Sequence, residues 1–303
     1  MMEQTDFCGI LSTFCPTILV KYQEPMASHT SFRIGGPSQA MAFPKDEGEL
    51  TALLALAAKE GWPVRILGAG TNVLAPDEGL DGLTVCLKDC LDGMKRVNDR
   101  EIEVMAGVTM TRAAVFAAKN GLSGLEFAHG IPGTVGGGVY MNAGAYGGEI
   151  RQVCSQVTVL TRTGEKKVLS NGEMGFSYRH SALEDTGDIV LSARFALTPD
   201  SESAIRERMK ELMAKRSASQ PLDMPSAGSA FKRPVGGYAA ALIDGAGLKG
   251  FAVGGAAIST KHAGFAVNLG GATAADVRGL LSQVSDRVFA QTGIRLEPEV
   301  RIW

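Results

Sequence analysis

The stretch Gly130-Ile131-Pro132-Gly133-Thr134-Val135-Gly136-Gly137-Gly138, followed by Met141-Asn142-Ala143-Gly144-Ala145-Tyr146-Gly147-Gly148, constrains this chain more than any other part of it. Glycine in a helix or strand interior costs roughly 0.5–1 kcal/mol relative to alanine, so this density needs a reason. Two explanations stand side by side. The glycines make tight turns, or they let consecutive backbone N–H groups point inward as a nest for an anion such as a pyrophosphate, with no lysine required. A shorter cluster, Gly68-Ala69-Gly70-Thr71-Asn72, follows an expected strand, Val64 to Leu67, at the carboxyl end where α/β proteins bind ligands. Neither cluster is a G-x-x-x-x-G-K-[ST] phosphate loop, and Gly68-Ala69-Gly70 lacks the third glycine of the dinucleotide fingerprint.

With 303 residues the chain exceeds the usual size of one compact core and is expected to form two or more lobes. Lys+Arg number 30 against Asp+Glu 32, so no overall basic field would recruit nucleic acid or an anionic membrane, and an anionic ligand must be held locally. The 5 cysteines (Cys8, Cys15, Cys86, Cys90, Cys154) contain no C-x-x-C pair, and His29, His129, His180 and His262 have no ligand spacing; neither a disulfide framework nor a metal site is expected. Residues Phe7 to Val20 are fairly apolar, but Glu3 and Asp6 precede them and Pro16 interrupts them, which is unlike a secretion signal. No run reaches the ~20 apolar residues of a membrane helix. A cytoplasmic protein is expected, with no membrane and no nucleic acid among its partners; oligomeric state is not legible beyond a slight preference for a monomer.

Periodicity gives a strand at Met41 to Phe43, a helix through Leu50, Leu53, Leu54 and Ala57 that stops at Gly61, and strands at Val64 to Leu67 and Leu83 to Leu87. A second lobe starts with a strand near Glu101 to Val104 and a helix from Thr109 to Asn120, capped by Thr109 and ended by Gly121. Further strands are expected at Val153 to Leu160, Lys167 to Leu169 and Ile189 to Leu197. A charged helix, Ser201 to Arg216, leads to a third lobe with a helix near Ala274 to Thr292 and a terminal strand, Leu296 to Ile302. The fold class is α+β.

Three groups of residues carry chemistry. In Gly228-Ser229-Ala230-Phe231-Lys232-Arg233-Pro234 a hydroxyl lies beside two cations; a serine so placed can protonate only a strongly basic carbon, and otherwise it is a turn or cap residue. In Tyr178-Arg179-His180-Ser181, Arg179 suits bidentate binding of a carboxylate. In Leu296-Glu297-Pro298-Glu299-Val300-Arg301, Glu299 could help polarise an enolate, and each of these two segments could equally make a surface ion pair. Lys261, in Gly255 to His262, is a weaker phosphate-binding candidate, and His129 beside the long glycine block is either a cofactor neighbour or a packed imidazole.

Together and in order, these blocks resemble the UDP-N-acetylenolpyruvoylglucosamine reductase family, flavoenzymes of peptidoglycan precursor synthesis. The resemblance runs from His29-Thr30-Ser31-Phe32-Arg33-Ile34-Gly35-Gly36-Pro37 through the Gly68 turn, Gly124-Leu125-Glu126-Phe127, Ile131 to Gly137, Phe176 to Arg179 and Gly228 to Pro234 to Glu297–Ile302, and leaves residues 1–25 outside. The short stretch between Arg179 and Ser229 resembles the form lacking an inserted substrate-covering loop. Ala69, Thr71, Thr134 and Ala227 depart from the familiar pattern with size or polarity preserved; His129 departs from it more sharply.

The resemblance implies an N-terminal extension at 1–25, a two-lobed FAD-binding domain of the vanillyl-alcohol-oxidase (PCMH) type at 26–198 with lobes of about 26–98 and 99–198, and a smaller α+β substrate-binding domain at 199–303. It implies non-covalent FAD, NADPH as co-substrate and UDP-N-acetylglucosamine enolpyruvate as substrate. FAD would lie against Gly68, Ala69, Gly70, Thr71, Asn72, Gly130, Ile131, Pro132, Gly133, Thr134, Gly136, Gly137, Asn142, Gly144 and Ala145. The implied catalytic residues are Ser229 as proton donor with Arg179 and Glu299, and Lys232, Arg233 and Lys261 are weaker substrate contacts. A related flavin oxidase would share the cofactor lobes without this trio, and a non-catalytic sensor would be expected to lose one of the three.

Overall fold

The computed structural model describes residues 4–88 and 90–303. They form two compact units that exchange segments along the chain: one of residues 4–23, 39–68 and 81–209, the other of 24–38, 69–80 and 210–303. The second unit therefore takes two short pieces from the first third of the sequence, an arrangement that boundaries read along a chain do not express.

In the first unit, the helix Glu47–Glu60 forms where Asp46 accepts a hydrogen bond from the backbone of Glu49, and it stops at Gly61 in the left-handed conformation. Its buried face, Leu50, Leu53, Leu54 and Ala57, has the 3.6-residue period anticipated for it. The strand Val64–Leu67 that follows pairs parallel with Leu80–Cys86, in a four-stranded sheet that also holds Leu19–Pro25 and Pro37–Phe43. Residues 4–23 are built into this unit: the helix Gln4–Phe14 buries Phe7 and Leu11, and the Phe7 ring lies 4.1 Å from that of Trp62.

The second sheet of this unit is antiparallel, in the order Lys166–Ser170, Cys154–Leu160, Ile189–Ala196, Glu101–Met105 and Met94–Arg96. The strands expected for the second lobe are all here. The short Met94–Arg96 strand joins them, because its residues pair with Ile102, Glu103 and Val104 across a turn. Thr109 caps the helix Met110–Lys119 by accepting from Arg112 N–H, as its sequence suggests.

The second unit centres on the helix Ala274–Thr292, whose bounds match the expected ones and whose first turn is closed by a capping box of Thr273 and Asp276. Val277, Leu280, Leu281, Val284 and Val288 bury one face of it against the three-stranded sheet Ala252–Val253, Ala256–Ile258 and Ala266–Asn268 and its surroundings. The terminal strand is shorter than expected: only Arg301–Ile302 forms a ladder, parallel to Val73–Leu74. Residues 297–299 do not extend that ladder but meet residues 230–232 instead, in a single bridge of Pro298 with Phe231 flanked by Lys232 N–H donating to Glu297 O (2.8 Å) and Glu299 N–H donating to Ala230 O (2.9 Å).

Candidate functional site

In the first unit, Thr134 organises the long glycine block. Its hydroxyl caps the six-residue helix Val135–Tyr140 by accepting from Gly137 N–H, and its backbone bridges Thr109. The first amides of that helix are committed to the protein: Val135 N–H to Val108 O (2.8 Å) and Gly136 N–H to Ala106 O (2.9 Å). Several of the glycines are demanded by packing. A Cβ at Gly138 would lie 2.7 Å from Met110 Sδ, one at Gly144 2.7 Å from Gly148 O, and one at Gly148 2.5 Å from the Phe127 ring. Gly137 is different, because a Cβ there would meet nothing nearer than Thr134 Oγ1 at 3.6 Å. The N–H groups of Gly133 and Thr134 make no hydrogen bond among the described residues. The block is thus partly a packing device, and it keeps free donors and one uncovered backbone surface at residues 133, 134 and 137. Those features fit the phosphate-bearing part of a flavin dinucleotide.

Gly68 belongs to the same place: a Cβ on it would come within 2.6 Å of Thr134 Oγ1. Arg179 sits on a tight turn, with Ser177 and His180 exchanging backbone hydrogen bonds of 3.1 and 3.3 Å. Its φ of 55° is one that L-residues reach at a cost of roughly 1–2 kcal/mol. Its guanidinium lies 5.1 Å from the centre of the Tyr178 ring and donates to Gly144 O at 3.4 Å, so Arg179 and the 142–145 segment come together.

The second unit holds the remaining positions. Ala69 and Gly70 keep their backbone N–H groups unbonded among the described residues, while Gly70 O accepts from Ser31 N–H at 3.0 Å. A Cβ at Gly70 would fall 2.0 Å from His29 O, so the 29–31 segment can lie on this turn only because residue 70 is glycine. Ser229 is bridged to Phe265, and the register described above sets Glu299 against Ala230, the residue after Ser229. The Asn72 side-chain amide donates to Glu299 O at 3.3 Å, and Asn72 O accepts from Arg301 N–H at 3.0 Å. Ser229, Glu299 and Asn72 are therefore neighbours in one hydrogen-bonded patch.

The weaker candidates have protein partners of their own. Lys232 pairs with Glu297, Arg233 stacks on Tyr238 with 4.5 Å from guanidinium carbon to ring centre, and Lys261 donates to Ser217 O at 2.7 Å. His129 is half-buried, and its backbone N–H donates to Glu126 O at 3.1 Å. Among the described residues no cluster of His, Cys, Asp and Glu could hold a metal ion, and no helix is long and apolar enough to cross a membrane.

Sequence reading did not single out three residues that hold these segments in place. Glu126 is 9% exposed and accepts from Ser123, Gly124 and Arg208 just before the glycine block. Asp77 accepts from Ala274 and Ala275 N–H (2.6 and 3.0 Å), fastening the 69–80 segment to the long helix. Ser181 donates to Tyr140 O at 2.8 Å. Asp77 and Ser181 act on partners far along the chain, and Glu126 joins its near neighbours Ser123 and Gly124 to Arg208, 82 residues away.

Two family models match the chain: an FAD binding domain over residues 38–170, and the C-terminal domain of UDP-N-acetylenolpyruvoylglucosamine reductase over residues 220–303. A curated UDP-N-acetylenolpyruvoylglucosamine reductase of Lactobacillus helveticus is 47% identical over 94% of this chain and 95% of its own length. The chain belongs to the UDP-N-acetylenolpyruvoylglucosamine reductase family. The Pediococcus pentosaceus reductase, 45% identical, aligns with 100% of the chain and 98% of its own length. Similarity to the reductases thus extends to residues 1–25, which the motif blocks do not reach.

The crystal structure of the Thermus caldophilus reductase superposes with a TM-score of 0.78 at 35% identity, covering 94% of this chain and 99% of that one. An alkyldihydroxyacetonephosphate synthase, at 16% identity and a TM-score of 0.50, shares the fold over 64% of this chain and 40% of that one. The α+β architecture with a vanillyl-alcohol-oxidase-type FAD domain is the one expected from sequence, and the chain is an FAD-binding oxidoreductase of the reductase family.

Proposed function

We propose that the protein reduces UDP-N-acetylglucosamine enolpyruvate to UDP-N-acetylmuramate with NADPH, as a step of peptidoglycan precursor synthesis in the cytoplasm. The observation that carries this reading is the register placing Glu299 against Ala230, beside Ser229, in a chain of the reductase family that also keeps Arg179. FAD, held by residues 68–72 and 130–137, would supply the hydride-carrying chemistry between the nicotinamide and the enolpyruvyl methylene carbon.

The protein's own groups then handle the charge that this addition creates on the substrate. Hydride arriving at the terminal carbon leaves an electron pair delocalised into the carboxylate. The Arg179 guanidinium, a fixed cation with paired donors, binds that carboxylate and gains strength as charge builds on it. Glu299 adds to this by donating a hydrogen bond, which requires its carboxylic acid form. The Ser229 hydroxyl gives its proton to the ether-bearing carbon and completes a D-lactyl ether. Lys232, Arg233 and Lys261 are proposed to contribute positive charge for the diphosphate or carboxylate, and residues 68–72 and 130–137 to hold FAD with backbone N–H groups.

Anaerobic stopped-flow separates the two halves of this reaction. NADPH is expected to bleach the flavin, and the enolpyruvyl sugar to restore its colour with UDP-N-acetylmuramate formed. Ser229→Ala should slow the second step by about 10²–10⁴-fold and the first far less, because the hydroxyl acts only after hydride reaches the substrate. Equal loss in both steps would contradict this role.

A further inference from the structure

Asn142 is completely buried and sits at φ 42°. Its side-chain NH₂ donates to Glu149 Oε2 at 3.1 Å and to the backbone carbonyl of Ser177 at 2.9 Å, and its Oδ1 accepts from Arg151 N–H at 2.9 Å. Both donors and one acceptor position are thus spent on the protein. The side chain is therefore committed to tying three segments together: the end of the glycine block, residues 149–151 and the turn that carries Arg179.

That turn needs fastening. Arg179 holds a left-handed φ of 55°, a conformation that persists in a non-glycine residue only where its surroundings impose it. Two bonds clamp the turn from outside, one on each flank. Asn142 holds the Ser177 carbonyl, and the Ser181 hydroxyl, itself completely buried, donates to Tyr140 O at 2.8 Å. Both lead to residues 140–142, just before Gly144, whose carbonyl receives the Arg179 guanidinium. If either clamp is lost, the turn is free to relax toward an ordinary φ and carry the guanidinium with it.

We propose that Asn142 is a positioning residue whose buried amide, together with the Ser181 hydroxyl, holds the 177–180 turn in the conformation that aims Arg179 at the substrate carboxylate. This rests on the role proposed above for Arg179, and it replaces a direct contact of the Asn142 side chain with FAD.

The test compares half-reactions of the FAD-loaded enzyme in wild type, Asn142→Ala, Ser181→Ala, Arg179→Ala and the Asn142→Ala/Arg179→Ala double variant. Reoxidation of the flavin by UDP-N-acetylglucosamine enolpyruvate should slow by about 10²-fold in Asn142→Ala and about 10-fold in Ser181→Ala, while reduction by NADPH changes by less than about 3-fold. The double variant should reoxidise about as slowly as Arg179→Ala alone, since a clamp has nothing to aim once the guanidinium is gone. Losses that multiply in the double variant, or that fall equally on both half-reactions, overturn the positioning role. If Asn142→Ala does not accumulate in folded form, Ser181→Ala and its double variant with Arg179→Ala decide by the same criteria. A wild-type enzyme that NADPH reduces but the enolpyruvyl sugar does not reoxidise overturns the functional reading itself; normal wild-type turnover with an unaffected Asn142→Ala overturns only the clamp.

Discussion

Gly137 and Gly148 lie in the same glycine block and predict opposite outcomes on substitution. An added methyl at Gly137 meets no protein atom closer than 3.6 Å, and the residue lies in the helix Val135–Tyr140, so Gly137→Ala should keep the melting temperature or raise it. The same methyl projects from the backbone surface proposed to face FAD, so flavin affinity, measured by fluorescence titration of the apoprotein, should fall at least about tenfold, the equivalent of ~1.4 kcal/mol. Gly148→Ala drives a Cβ to 2.5 Å from the Phe127 ring and should cost about 1–3 kcal/mol of stability in denaturant titration. The density of glycine was plain in the sequence; which glycines serve packing and which leave a surface open depends on partners such as Met110 and Phe127, distant along the chain.

At the level of elements, single carboxylates hold segments that hydrophobic periodicity does not connect. Burial pushes the Glu126 carboxyl up, but hydrogen bonds from its own backbone, Arg208, Gly124 and Ser123 outweigh it, and the net shift is downward. A carboxylate with a lowered folded pKa contributes stability that is present above its unfolded value and is lost as pH falls through the folded one. Glu126→Gln should therefore destabilise the protein by about 1.5–3 kcal/mol at neutral pH, with the gap to wild type closing as pH falls below 4.5. Urea titrations at several pH values would show whether the gap closes; a constant difference would mean that the ionised form is not what matters. Asp77→Ala removes the acceptor of two N–H groups at the start of the helix Ala274–Thr292 and should cost about 1 kcal/mol, with the 69–80 segment exchanging its amide protons faster. The caps are local, since Asp46, Thr109 and Thr273 each lie three residues before the amide they receive, and of these Thr109 was read from the sequence.

Over the whole molecule, burial sets the behaviour of the thiols. None of the 5 cysteines forms a disulfide among the described residues; Cys15, Cys86, Cys90 and Cys154 are buried, and burial raises Cys90 to about 11 and Cys154 to about 12. A thiol-specific reagent at mildly alkaline pH should modify only Cys8 rapidly in the native protein and all five after unfolding. Fast native labelling of Cys154 would show that the antiparallel sheet opens. The N-terminal helix belongs to the same packing: Phe7→Ala should cost about 3–5 kcal/mol, as for a core aromatic, where a dispensable extension would cost almost nothing. The sequence alone determined the α+β class, several of the longer helices and strands and the order of the motif blocks, because caps, periodicity and glycine density are encoded within a few residues; the helices Gln4–Phe14 and Val135–Tyr140 and the sheet of Ala252–Val253, Ala256–Ile258 and Ala266–Asn268 were not legible in it. Only the tertiary structure decided that residues 24–38 and 69–80 join the C-terminal unit, that residues 297–299 pair with 230–232 while the last strand pairs with Val73–Leu74, and that Asn142 and Ser181 clamp the Arg179 turn. Those outcomes depend on hydrogen bonds and close contacts between residues far apart in the chain, and one residue's identity does not name its distant partner.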